Sequence, residues 1–231
     1  MTGVADVALV VFDLDGTLND SRRDLAESTS EMVTSYGAAP LAGDAVAAMV
    51  GDGARMLVAR AIGAAGLDVD VSAALDRFLA IYDRRLLMHT RPYDGLAELV
   101  ARLSPRVALA VLTNKPTAPA RRILDAFDLS RHFRWVIGGD ADLPRKPDPA
   151  SLLFLMREAS ASAERTLMVG DSMVDVETGR RAGTQVCVAQ YGYGRFRGEM
   201  PLHGDELVAA TPVALVSVIE QMTSGVVLRK T

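Results

Sequence analysis

The chain has 231 residues, a formal net charge of −4, and 49% hydrophobic against 23% charged residues. That is the balance of a packed globule, either one large domain or a domain with a smaller companion. Mild acidity without a basic block argues against nucleic acid or a polybasic membrane contact. No apolar run is long enough to span a bilayer, and the N-terminus has no positive residue ahead of its first apolar run. The single cysteine, Cys187, excludes an internal disulfide and fits a reducing, cytoplasmic setting.

The first predicted element is "ALVVFD" (8–13), an apolar run that ends in a carboxylate and continues as Leu14, Asp15, Gly16, Thr17 and Leu18. The stretch from about 20 to 90 has no convincing strand. It reads as several helices interrupted at Gly37, Gly51, Gly53 and Gly66. "HTRPYDG" (89–95) closes it, and then come "VALAVLT" (107–113), "RWVIGG" (134–139), "TLMVGD" (166–171) and "QVCVAQ" (185–190). Short continuous apolar runs of this kind read as parallel strands covered on both faces, which makes Cys187 a core residue. Amphipathic segments near 116–127, 149–160 and 174–182 alternate with them. The alternation implies an α/β, Rossmann-like, doubly wound parallel sheet. "ATPVALVSVIEQM" offers Thr211 as N-cap and Pro212 at the first position of a last helix. The expected division is an α/β core of residues 1–18 and 91–231 with a small α-helical cap, 19–90, inserted after the first strand. The tail from Thr223 is expected to be loosely held.

Ligands of open parallel sheets bind at the carboxyl ends of the strands. The polar residues of interest fall there: Asp13 and Asp15 after the first strand, Thr113 and Asn114 after the second, Lys146 in "LPRKPDP", and Asp171 ending "TLMVGD". On extended chain, Asp13 and Asp15 would point the same way about 6.6 Å apart. That spacing lets two carboxylates address opposite oxygens of one phosphoryl group, one attacking phosphorus and the other protonating the leaving oxygen. Gly16 would turn the chain so that backbone N–H groups form an anion nest. Compensating charge would come from Mg²⁺ held by Asp13 and Asp171, hard oxygen ligands, and from Lys146. The Thr113 hydroxyl and the Asn114 backbone would donate to phosphoryl oxygens. Only Lys115, Lys146 and Lys230 are lysines among 25 basic residues, and two of them sit in these strand-end loops. Paired carboxylates could equally serve glycoside hydrolysis, "DLDGT" could be an ordinary turn, and Asp148 could simply cap a helix.

Taken together, these strings resemble the haloacid dehalogenase superfamily over essentially the whole chain. "DLDGT" is similar to its first motif, which implies Asp13 as nucleophile and Asp15 as acid and base. "LTN" resembles the second, with Thr113 beside Asn114, and Lys146 in "RKPDP" the third. "GDSMVD" resembles the fourth, which implies Asp171 as a magnesium ligand with Ser172 and Asp175 supporting it. The resemblance also implies metal ligation by the backbone carbonyl of Asp15, with Gly16 and Thr17 at the phosphate. Position 174 is valine where the fourth motif commonly has Asn, and Asn19 stands where an aliphatic residue is common.

Closer similarity, in "VGDGARMLVARAI", "LTNKPT", "VIGGD" and "YGYG", points to phosphoglycolate phosphatases. It implies hydrolysis of a small phosphomonoester, 2-phosphoglycolate, by a monomer or homodimer. A pyrophosphatase, a sugar-phosphate phosphatase, a phosphoglucomutase-like enzyme and a non-enzymatic phosphate-binding protein are the alternatives. Selection should lie in the cap, where Gly51 and Gly53 around Asp52 form a candidate loop and Arg55 a candidate partner for the substrate carboxylate. Arg60 and Arg91 are equal to it on charge alone. Packing is the expected role of Tyr191 and Tyr193, and His89, His132 and His203 form no cluster.

Overall fold

A computed structural model describes residues 6–194 and 202–223. In chain order the elements are β1 (Leu9–Phe12), β2 (Asn19–Asp20), α1 (Arg22–Thr34), α2 (Gly43–Ala47), α3 (Ala54–Ala64), α4 (Val71–Arg85) and β3 (Arg91–Pro92). There follow α5 (Leu96–Leu103), β4 (Ala108–Leu112), α6 (Thr117–Ala126), β5 (Trp135–Ile137), α7 (Ala150–Glu158) and β6 (Thr166–Gly170). The last are α8 (Met173–Ala182), β7 (Gln185–Ala189), β8 (Leu207–Ala209) and α9 (Pro212–Thr223).

Six strands form one sheet in the order β5-β4-β1-β6-β7-β8, every neighbouring pair parallel. This is the doubly wound α/β sheet that the alternation of apolar runs and helices predicts. Side chains alternate across it. Val10 and Phe12 of β1 share a core with Leu96 and Leu99 of α5 and Leu215 and Ile219 of α9. Leu9 and Val11 join Leu152 and Leu155 of α7 on the opposite face. Cys187 is fully buried in β7, as its apolar surroundings require.

Three features depart from expectation. β5 is a half-buried edge strand, not one covered on both faces. A sixth strand, β8, was not expected; its three residues are too few to establish a period. α5 was also unforeseen. At the end of the chain, Thr211 Oγ1 accepts from Ala214 N at 3.1 Å, the N-cap its sequence predicts. The expectation for the tail after Thr223 lies outside the described residues.

Helices α1–α4 lie between β2 and β3, which pair antiparallel with Asn19 opposite Pro92 and Asp20 opposite Arg91. Asp24, fully buried in the first turn of α1, fastens this crossing. Its carboxylate accepts from His89 N (3.0 Å), Thr90 N (2.8 Å) and Thr90 Oγ1 (2.7 Å). The outgoing and returning segments are thus joined twice. Phe78 and Tyr82 of α4 stack with ring centroids 5.6 Å apart and face the carboxyl edge of the sheet.

Candidate active site

β1 lies between β4 and β6, where the chain's progress across the sheet reverses, so the carboxyl ends of three central strands meet at one point. Asp13 follows β1, Thr113 and Asn114 follow β4, and Asp171 follows β6. The long connection after β5 returns Lys146 to the same point. A cavity opens there between the strand ends and α1, α3 and α4.

After Phe12 the chain leaves the extended conformation. Leu14 O accepts from Leu18 N and Asn19 N, both at 3.0 Å, which makes one tight turn. Asp15 therefore does not lie on extended strand, and the spacing predicted for two extended carboxylates does not apply. Gly16 N donates to Asn19 O at 2.8 Å, so this N–H is spent inside the turn rather than in an anion nest. Gly16 has φ +87° and lies against Asp171, where a Cβ would fall inside the carboxylate. Thr17 is fully buried and absent from the cavity wall; its carbonyl accepts from Tyr191 Oη at 2.7 Å. Gly16 and Thr17 shape the turn, and neither is among the residues that line the cavity.

Lys146 is buried, and its Nζ donates to Asp13 Oδ1 at 2.7 Å and to Asp175 Oδ1 at 2.5 Å. Burial pulls the ammonium toward neutrality, but Asp13 and Asp175 outweigh it and its pKa rises. Asp175 Oδ2 accepts from Ser172 N at 3.1 Å and Ser172 Oγ at 2.6 Å, closing a capping box at the start of α8. Both oxygens of Asp175 are thereby engaged. Asp171 uses Oδ2 to accept from Tyr193 N (3.0 Å) and Gly194 N (2.6 Å). Among the described residues, Asp13 Oδ2 and Asp171 Oδ1 have no hydrogen-bond partner. Burial is the main reason the Asp13 carboxyl is pushed up to about 7, with Asp175 adding to it and Lys146 opposing. Asp171 is raised well above the carboxylate range, by burial and then by Asp13 and Asp175.

Ligand oxygens of Asp13, Asp171 and Asp175 all lie within 4.8 Å of one another. Three carboxylates and one ammonium leave a formal charge of −2, which a divalent cation would cancel. All donors are hard oxygens, and Mg²⁺ takes oxygens at about 2.0–2.1 Å while keeping several waters. The residues fit such an ion, with Asp171 offering its free Oδ1 and Asp13 the Oδ1 that it shares with Lys146.

On the other side of the turn, Ser21 Oγ donates to Asp15 Oδ1 at 2.5 Å and meets Tyr193 Oη at 2.7 Å. Lys115 Nζ lies 2.8 and 3.1 Å from the two Asp15 oxygens and donates to Tyr82 Oη at 2.6 Å. It also stands 4.6 Å from the centre of the Tyr82 ring. Burial opposes the Lys115 charge, yet Asp15 and Tyr82 push its pKa up. Sequence reasoning noticed Lys115 only as a retained lysine, and it missed Tyr82 and Ser21. Tyr193, expected to pack, reaches the cavity wall.

Thr113 lines the cavity, and its Oγ1 accepts from Lys115 N at 3.2 Å. Asn114 Nδ2 donates to Lys146 O at 3.0 Å and to Gly51 O at 3.1 Å, so it ties the lysine loop to the loop between α2 and α3. Gly51 and Gly53 line the cavity, as expected of that loop. Arg55 does not. It is exposed, and its Nη1 donates to Ser72 Oγ at 3.2 Å, because its place on α3 turns it from the cavity. Arg60 pairs with Asp52, and Arg91 donates to Thr90 O at 2.6 Å. Neither of these lines the cavity.

Fold and site together define an α/β protein with an acidic, lysine-bridged centre at the switch point of its sheet. The chain belongs to the haloacid dehalogenase-like hydrolases, whose family model matches residues 10–189. It is 38% identical over 223 residues to a phosphoglycolate phosphatase of Pseudomonas fluorescens Pf-5, covering 94% of this chain and 79% of that one. To the phosphoglycolate phosphatase of Rhodospirillum rubrum it is 43% identical over 194 residues, 80% of each chain. The crystal structure of a predicted phosphoglycolate phosphatase from Haemophilus somnus 129PT superposes with a TM-score of 0.86 at 27% identity, covering 94% of this chain and 99% of that one.

Proposed function

We propose that the chain is a Mg²⁺-dependent phosphatase that hydrolyses 2-phosphoglycolate through an aspartyl-phosphate on Asp13. The observation that carries this reading is the pairing of Asp13 with Lys146 on one side of the cavity and of Asp15 with Lys115 and Ser21 on the other. Two carboxylates in different surroundings take different roles. Lys146 holds Asp13 Oδ1, which leaves Oδ2 to attack phosphorus. As the P–O ester bond breaks, Asp15 gives its proton to the leaving oxygen. Water then attacks the aspartyl-phosphate, Asp15 takes the water's proton, and phosphate and Asp13 are released.

Thr113 Oγ1 supplies a hydroxyl and Lys146 a positive charge to the phosphoryl oxygens. Asp13, Asp171 and the Asp15 carbonyl would hold Mg²⁺, which when bound offsets the negative charge of nucleophile and phosphate. Ser172 and Asp175 fix the lysine and the start of α8. The helices above the cavity exclude water. We read residues 19–90 as the cap and the remainder as the core. The names of the relatives support the substrate, and the single buried thiol fits a cytoplasmic setting.

Phosphate release tests the reading, with 2-phosphoglycolate, pyrophosphate, glucose-1-phosphate and p-nitrophenyl phosphate as substrates and EDTA and Asp13→Asn as controls. The expected result is a kcat/KM for 2-phosphoglycolate at least about tenfold above the rest, abolished by both controls. Better turnover of another member replaces the substrate, and no Mg²⁺-dependent release overturns the hydrolase.

A further inference from the structure

We propose that Lys115 and Tyr82 form the seat for a carboxylate on the carbon next to the leaving oxygen. They would select phosphate esters of 2-hydroxy acids over esters of neutral alcohols. The inference rests on the phosphatase reading and adds the side chains that read the leaving group.

Among the described residues lining the cavity, the basic side chains are Lys115 and Lys146. Lys146 is shared between Asp13 and Asp175, on the side where phosphorus is attacked. Lys115 touches Asp15, the residue that would protonate the leaving oxygen, at 2.8 Å. In 2-phosphoglycolate the carboxylate carbon is two bonds from that oxygen. An ester positioned for protonation by Asp15 therefore brings its acid group to the adjoining ammonium.

Tyr82 supplies a second donor. Its oxygen accepts from Lys115, and its own hydrogen has no acceptor among the described residues. The cap side of the cavity is otherwise apolar, with Leu25, Val50, Leu57, Phe78 and Leu79 in its wall. A carboxylate buried against these side chains needs a cation and a hydrogen-bond donor. Lys115, from the end of β4, and Tyr82, from α4, provide both. Arg55, the candidate by sequence, is exposed on α3.

The test uses a matched pair, 2-phosphoglycolate and 2-hydroxyethyl phosphate, which differ by the carboxylate. Steady-state kinetics are measured on the full chain with Mg²⁺ for the native protein, Lys115→Met and Tyr82→Phe. The native protein is expected to prefer 2-phosphoglycolate. Lys115→Met should cut the ratio of the two kcat/KM values about 10- to 100-fold, the worth of a charged hydrogen bond. Tyr82→Phe should cut it about tenfold, the lower end of the worth of a hydrogen bond to a charged group. In both variants the loss specific to 2-phosphoglycolate should fall mainly in KM.

A role only in fixing Asp15 would slow both esters equally and leave the ratio unchanged, which overturns the proposal. Equal native turnover of the two esters overturns it as well and leaves the phosphatase intact. No release from either ester or from p-nitrophenyl phosphate removes the phosphatase reading itself. If calorimetry shows that Lys115→Met does not fold, Tyr82→Phe, which keeps every charge, decides the matter by the same ratio.

Discussion

Lys146 and Asp175 meet at 2.5 Å in the interior, and the other Asp175 oxygen is held by both the backbone and the hydroxyl of Ser172. Asp175 therefore acts on the lysine and on the start of α8, not on the cavity. The lysine in turn is fixed 2.7 Å from Asp13. Removing charge from this set of contacts should slow the reaction. Asp175→Asn is expected to lower kcat/KM about 10- to 100-fold and to weaken the apparent Mg²⁺ affinity, as partners behind a metal site do. Lys146→Met, which strips a positive charge from the phosphoryl group, should cost about 10²–10³ in kcat. Steady-state kinetics across a Mg²⁺ titration check both values.

The Asp13 carboxyl is pushed up to about 7, chiefly by burial. An unfolded aspartate titrates near 3.9. Between about pH 4 and 7 the native state, without metal, binds more protons than the unfolded state, so this group lowers stability as pH rises through the window. In EDTA the melting temperature should fall from pH 5 to 7, and Asp13→Asn should lessen that fall. With Mg²⁺ the ion replaces the proton, so the stabilisation it confers should grow over the same range. Calorimetry at pH 5, 6, 7 and 8, with and without metal, reads all three.

Ser21 is 2.5 Å from Asp15 and 2.7 Å from Tyr193. Ser21→Ala frees one side of Asp15, the proposed proton donor. A loss of about tenfold in kcat/KM is expected with 2-phosphoglycolate, the scale of one hydrogen bond to a charged group. The loss should shrink with p-nitrophenyl phosphate, whose leaving group departs without a proton. Equal losses on the two substrates would show that Ser21 does not act through Asp15.

Asp24 is fully buried and accepts from two backbone N–H groups and one hydroxyl of the returning segment. Asp24→Ala leaves those donors without partners. Destabilisation of about 2–4 kcal/mol is expected in urea unfolding.

The strands and the residues at their ends were legible because a buried parallel strand is written as a continuous apolar run and its polar terminus interrupts that run. Asp13, Asp15, Thr113 and Asp171 were found this way and Lys146 as a retained lysine in the loop after β5, and all five line the cavity. Partners joined across the fold were not legible. Tyr82 and Lys115 are 33 positions apart, and no local pattern records that a helix after Asp70 aims a hydroxyl at a strand end. Arg55 failed for the same reason. Charge and nearness to a glycine loop suggested a ligand, whereas the side of α3 that faces the cavity depends on how α3 packs on α4. The turn after Phe12 also escaped, since "DLDGT" does not state that Leu14 O gathers three N–H groups.

Three glycines press on Asp171. A Cβ at Gly16, Gly192 or Gly194 would collide with its side chain or carbonyl. The environment of this acid is therefore guarded by volume as well as by charge. A methyl group, neutral and chemically inert, would unseat it as surely as a misplaced cation. Substitution at these positions meets a steric barrier, one that hydropathy and electrostatics alone would pass over.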